Sequence, residues 1–137
     1  VCTMYGIFHI RENRLDFTVT MRSNDAILGT PADVAFFTCL QQQMLSHLQV
    51  LKYSNLKLGK YTHIVNSYHL YDKHFKLVEE MLNEDFNPIE FPKLEADLVL
   101  PSGTPSDLLI DFIENESNLN NVSTNDSLFT WIKNNIL

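Results

Sequence analysis

At 137 residues, with 45% hydrophobic and 20% charged side chains, the chain is sized for one domain or half of a larger one, and it can bury a real core. A net charge of -7 argues against a nucleic-acid duplex as partner, because phosphate neutralisation needs a cationic surface; a local basic pocket for one phosphate stays compatible with it. No stretch reaches the roughly 18 apolar residues of a membrane span, and two cysteines, Cys2 and Cys39, make no disulfide framework, so the chain reads as cytoplasmic without membrane contact. An opening at Val1, directly before an apolar strand and without the basic-then-apolar pattern of a secretory signal, is what a cut or partial chain predicts.

Met4 to Ile10 is nearly all apolar, which predicts a core strand covered on both faces. The polar break Arg11-Glu12-Asn13-Arg14 has hairpin length, and Leu15, Phe17, Val19 and Met21 then alternate with polar residues, so a second strand should return antiparallel with Arg22 on its polar face. Thr30 as N-cap, Pro31 in the first helical position and Asp33 three residues after the cap predict a helix start. Val34, Phe37, Leu40, Met44, Leu48 and Leu51 continue it as one apolar face to about Leu51, with Gln41-Gln42-Gln43 expected on its solvent side.

Leu56 to Tyr71 reads as a third long extended segment in which Tyr61, His63 and Val65 share one face, and His69 and Tyr71 point the same way. Tyr71, Phe75, Val78 and Leu82 predict a second amphipathic helix, ended by the breaker Asn83 to Pro88. Leu94 to Leu100 suggests another strand, and Thr104-Pro105-Ser106-Asp107 repeats the cap, proline and acid arrangement before a short helix over Leu108 to Ile113. Glu114 to Asp126 reads as a polar linker and Leu128 to Leu137 as a last apolar piece carrying Trp131. His63, His69 and His74 lack the completion and spacing of a zinc site, and no metal is expected.

Cys2-Thr3, a hairpin, Arg22-Ser23-Asn24-Asp25, Leu28-Gly29-x-Pro31 with its helix, and then His69-x-Tyr71 occur in an order and spacing that resemble the C-terminal half of the thymidylate synthase family, from Cys2 to about Leu82. The resemblance implies an α/β (α+β) fold with a mixed sheet packed against helices, and a homodimer whose sheets pack face to face. Residues 1–100 would be the C-terminal catalytic portion of such a domain, and 101–137 a divergent extension. The family's N-terminal half, with a proton-relaying acid and further phosphate-binding arginines, is not among these residues.

By the same resemblance Cys2 is the nucleophile that attacks C6 of a pyrimidine nucleoside monophosphate, so that C5 can take a one-carbon unit from 5,10-methylenetetrahydrofolate as co-substrate. Arg22 and Ser23 resemble the phosphate ligands, Asn24 and Asp25 the residues that meet base and folate, and His69 and Tyr71 the pair that bonds the sugar hydroxyl. Arg22 would also stabilise a neighbouring thiolate through its positive charge. Thr3, Met21 and Val1 stand where the family usually has His, Gln and Pro, and the family's closing pattern is not recognisable after Phe91.

Asp33 stands where thymidylate synthases carry an Asn that reads uracil. An amide offers a donor and an acceptor, whereas a carboxylate only accepts, which suits the exocyclic amine of cytosine and repels the O4 of uracil. This Asp resembles the deoxycytidylate hydroxymethylases of bacteriophages, which would make dCMP or CMP the substrate and a 5-hydroxymethyl nucleotide the product. Methylation of dUMP and a non-catalytic interaction module of this fold are the competing expectations.

Overall fold

The structure, a computed structural model, describes residues 2–85, 104–115, 127, 130 and 131. They fall into two units. The first holds the described residues up to Gln41 and those from Asn55 onward to residue 85; the second holds Gln42–Ser54 and the described residues beyond 89.

In the first unit β1 (Thr3–Arg11) and β2 (Arg14–Met21) form the expected antiparallel hairpin. Its two-residue loop, Glu12 and Asn13, has positive φ at both positions (47° and 60°), the twist-matched geometry of tight hairpins. The side chain of Asn13 also donates to the Asn55 carbonyl, and its own carbonyl accepts the Lys57 amide at 2.9 Å, which tethers the following strand to the loop. That strand, β4 (Lys57–Val65), runs parallel to β2, giving a mixed sheet of order β1-β2-β4. Between β2 and β4 in sequence lie a two-residue strand, β3 (Asn24–Asp25), and the helix α1 (Gly29–Leu51). β3 pairs in parallel with β5 (Tyr68–His69).

The β2 alternation sets the core as its pattern predicts. Leu15, Phe17, Val19 and Met21 are all buried. Phe17, Val19 and Met21 cluster with Phe37 of α1, and Cys2, Phe8, Tyr61 and Val65 pack around them. Phe8 stacks on Phe17 with centroids 4.0 Å apart, and Phe37 meets Phe17 edge-on at 6.2 Å.

Several expectations are corrected. β1 is an edge strand, with no partner on its far side among the described residues; Met4, Tyr5, Ile7 and Ile10 are exposed, and only Phe8 of its large side chains is drawn against the core. Gln41 is buried inside the unit, because its Nε2 donates to the Leu15 carbonyl at 2.8 Å. That replaces the expected apolar stripe at this turn: Phe37 and Gln41 face inward and Leu40 is exposed. Gln43, in the second unit, is buried as well, as is Leu45. The third extended segment is broken at Asn66 and Ser67 into β4 and β5. Finally, α1 begins at Gly29, before Thr30, so Thr30 is no N-cap and Asp33 no capping-box acid. Asp25 supplies the turn: its carboxylate accepts the Ile27 and Leu28 amides at 2.9 and 3.3 Å, and Thr30 Oγ1 donates to its carbonyl at 2.9 Å.

After β5 a 3₁₀ turn, Asp72–His74, leads into α2 (Phe75–Asn83), the expected second helix, which stops at the predicted breaker. In the second unit α3 (Asp107–Glu114) is the short helix predicted after Pro105. It starts after Ser106, whose carbonyl accepts the Ile110 amide at 3.0 Å, and so Thr104 lies too far upstream to cap it. Ser127, Thr130 and Trp131 are helical. The strand expected at 94–100, the boundary at 100 and most of the polar linker lie outside the described residues. No helix among the described residues is long and apolar enough to cross a membrane.

Candidate active site

Two irregularities in the sheet decide what stands beside what. In β1 the pairing runs Phe8 with Phe17 and Tyr5 with Thr20, then Thr3 with Met21, so that Met4 is an extra residue in the strand. With that residue spent, Cys2 comes opposite Arg22, and the Arg22 amide donates to the Cys2 carbonyl at 2.9 Å. Thr3 Oγ1 contacts Met21 Sδ at 3.3 Å on the same stretch.

The second irregularity lies between β2 and β4. Leu15 pairs with Leu58 but Phe17 with Tyr61, which leaves Gly59 and Lys60 opposite Asp16. The Asp16 carboxylate accepts the Lys60 amide at 2.7 Å, and the Leu15 carbonyl takes the Gln41 side chain. A Cβ on Gly59 would fall on Asp16 Oδ1 and lie 2.7 Å from the Leu15 carbonyl, so only glycine fits. From there the register is constant: Met21 pairs with Val65, Asn24 with Tyr68 and Asp25 with His69, each with the residue 44 positions on. The Arg22 carbonyl accepts the Ser67 amide at 3.2 Å, the Ser67 carbonyl accepts the Asn24 amide at 2.9 Å, and the His69 carbonyl accepts the Ala26 amide at 2.9 Å.

These registers bring the expected residues together. An open cleft of about 720 Å³ is lined by Cys2, Arg22, Ser23, Asn24, Asp25, Asp33, His69 and Tyr71, all eight of the residues singled out from the sequence, with Thr3, Met21, Leu28 and Gly29 completing it. Ser23 Oγ lies 3.4 Å from His69 Nδ1. The rings of His69 and Tyr71 meet edge-on with centroids 4.9 Å apart, so the two act as one wall. The Ile27 amide above all, with the Leu28 amide and the nearby His74 and His69, holds the Asp25 carboxyl below its ordinary range despite partial desolvation.

Asn24 behaves differently from expectation. It is buried, and its Nδ2 lies 3.0 Å from His63 Nε2, while its Oδ1 lies against Gly29, where any added Cβ would overlap it. His63 Nδ1 is in turn 2.7 Å from the Tyr61 hydroxyl. Burial, and then the charge of Asp33, push the Tyr61 phenol up to about 12. Tyr61 and His63, which continue this polar run from Asn24, are absent from the expected site. Their signal in the sequence is that both fall on the same strand face as Val65, two polar groups on a face that packs against the core. Among the described residues no three His, Cys, Asp or Glu side chains gather as a metal site.

The arrangement offers a thiol, a guanidinium, a hydroxyl and two carboxylates around one open space, a donor set suited to an anionic, heterocyclic ligand. Comparison with known proteins agrees on one family. The family model "Thymidylate synthase" matches residues 1–121. A thymidylate synthase of Streptococcus suis is 31% identical over 107 residues, covering 75% of this chain and 35% of that protein. One from Mycoplasma mobile is 29% identical over 93 residues, covering 68% of this chain and 30% of that protein. Among solved structures, thermostable thymidylate synthase A from Bacillus subtilis superposes with a TM-score of 0.56 at 25% identity, over 73% of this chain and 32% of that one. The chain thus spans about a third of the length of these relatives. With a family match across most of its length and the family's mixed sheet and helices in its fold, this chain belongs to the thymidylate synthase family.

Proposed function

We propose that the chain is the catalytic C-terminal portion of a pyrimidine nucleotide hydroxymethylase, acting on dCMP or CMP. The observation that carries the reading is the convergence of Cys2, Arg22, Ser23, Asp33, His69 and Tyr71 on one cleft. Arg22 and Ser23 hold the phosphate through charge-assisted and hydroxyl hydrogen bonds, and His69 with Tyr71 orients the sugar. Asp33, freed of any capping role, accepts from the 4-amino group of cytosine.

The Cys2 sulfur gives its electron pair to C6 of the base, and the C5–C6 π pair makes C5 the nucleophile toward the one-carbon unit. Once C5 has lost its proton and tetrahydrofolate has left, water adds to the resulting exocyclic methylene and the S–C6 bond breaks, giving the 5-hydroxymethyl nucleotide. Methylenetetrahydrofolate, when bound, supplies the one-carbon unit. Asp25 suits it as a wall residue, because a carboxylate held anionic by the Ile27 and Leu28 amides accepts from a ring N–H. Homodimerisation through the outer sheet face fits the exposure of Tyr5, Ile7 and Ile64.

Methylation of dUMP is the second reading, favoured by the names of the relatives, all thymidylate synthases. Incubating the full-length protein with methylenetetrahydrofolate and each nucleotide separates the two. A 5-hydroxymethyl product from dCMP or CMP, without release of dihydrofolate, is expected. Turnover of dUMP with dihydrofolate release would replace the first reading by the second. Failure of Cys2 to form an adduct with any 5-fluoropyrimidine nucleotide would point to a non-catalytic module.

A further inference from the structure

Tyr71 is half exposed, yet its ring is held by what precedes and follows it in the chain. It is the last extended residue before the 3₁₀ turn Asp72–His74, and the His74 amide closes that turn on the Tyr71 carbonyl at 2.9 Å. A 3₁₀ turn repeats every three residues, so the side chains of Tyr71 and His74 come to the same side. Their rings accordingly stand at 82° to one another, with centroids 6.4 Å apart. From the strand side the His69 ring meets that of Tyr71 at 84° and 4.9 Å.

A cation lies over the face of the same ring. Lys73 Nζ is 5.6 Å from the Tyr71 centroid, within the range of cation–π attraction. Among the described residues no carboxylate stands within ion-pair distance of Lys73, so the ring is its electrostatic partner there. Tyr71 lines the cleft and Lys73 does not. The lysine thus sits behind a lining residue and bears on its π system.

We propose that Lys73 is a positioning residue for recognition of the nucleotide's sugar, fixing the Tyr71 ring and strengthening its hydroxyl as a donor toward the cleft. This rests on the reading that Tyr71 meets a sugar hydroxyl. A positive charge over the ring draws electron density from it, which polarises the phenolic O–H. A sugar hydroxyl can accept as well as donate, and a stronger phenolic donor favours the arrangement in which the sugar oxygen accepts.

Calorimetric titration of the full-length protein tests it, comparing dCMP with its 2′,3′-dideoxy analogue, which lacks the sugar hydroxyl. The dUMP pair, run alongside, keeps the test independent of which base is preferred. In the parent protein loss of the hydroxyl should weaken binding by about three- to tenfold, the worth of one hydrogen bond. Lys73→Met should shrink that ratio by about two- to threefold, the worth of an exposed cation over a ring, and Lys73→Arg should keep it. On a Tyr71→Phe background, Lys73→Met should change the ratio no further. Selective ¹³C labelling of lysine should show the Lys73 ε-methylene shifted by the ring current, with the shift gone in Tyr71→Leu.

An unchanged ratio in Lys73→Met, with the ratio lowered in Tyr71→Phe, overturns the proposal and leaves the sugar role of Tyr71 intact. Equal losses in Lys73→Met and Lys73→Arg overturn it as well, because the charge is then not the agent. A further loss on the Tyr71→Phe background shows Lys73 acting on the sugar without the ring, and a Lys73 signal unshifted by Tyr71 removes the contact; either result overturns the proposal. A ratio of one in the parent, for both bases, overturns the sugar reading and the proposal together.

Discussion

The Arg22 amide donates to the Cys2 carbonyl at 2.9 Å, two ladder steps beyond the extra residue Met4. The proposed nucleophile and the proposed phosphate ligand are thus rungs of one ladder, and the backbone fixes their spacing before any side chain is placed. Removing the guanidinium therefore probes recognition without disturbing the rung. Arg22→Ala should weaken binding of a nucleoside monophosphate by about ten- to hundredfold, the worth of charge-assisted hydrogen bonds, and leave the nucleoside unaffected. Titration calorimetry with the two ligands checks it.

Asp33→Asn restores an amide where the family usually reads uracil. The preference between dCMP and dUMP should move toward dUMP, measured as the ratio of dissociation constants. No movement in that ratio would remove Asp33 from base recognition.

Gln41→Leu keeps the volume but withdraws the donor from the buried Leu15 carbonyl. A loss of about 1–3 kcal/mol is expected, read as a lower midpoint in urea at unchanged slope. An exposed glutamine would have cost almost nothing.

Gly59→Ala pushes a methyl group into Asp16 and the Leu15 carbonyl. Overpacking of this kind costs about 1–3 kcal/mol, and here it should also loosen the pairing of Asp25 with His69 farther along the ladder. Faster hydrogen exchange at the Ala26 amide, which His69 accepts, reports the second effect separately from global stability.

Asp25 sets an acid limit. Its carboxyl, ordinarily near 3.8, is held lower in the folded chain, so unfolding raises its proton affinity. The stability it contributes is present above about pH 4 and drains away as pH falls through the lower folded value. Asp25→Asn should flatten the acid side of the stability curve, followed by denaturant midpoints at successive pH values.

The hairpin and the course of α1 are legible in the sequence because one period of two and one of three to four dominate there. All eight expected site residues reach one cleft because their order along the chain carries the family resemblance. Periodicity says nothing about a polar side chain that buries itself to satisfy a backbone carbonyl, and so Gln41 reads as surface. Thr30, Pro31 and Asp33 spell a capping box, yet Asp25 captures the two amides first and the helix starts two residues early. Tyr61 and His63 escape notice for a related reason: on an apolar face they look like filler until the strand pairing puts Asn24 within reach.

The single extra residue at Met4 decides which residue of β2's exit stands opposite Cys2. Residues added at Glu12 and Asn13 would lengthen a loop at the far end of the hairpin and leave the ladder at Arg22 as it is. Were Met4 instead paired in regular register beyond Tyr5 and Thr20, it would meet Met21, and Cys2 would meet Ser23 in place of Arg22. Homologous sequences should therefore keep or lose the bulge together with the extra residue between the cysteine and the first aromatic pair, Phe8 with Phe17.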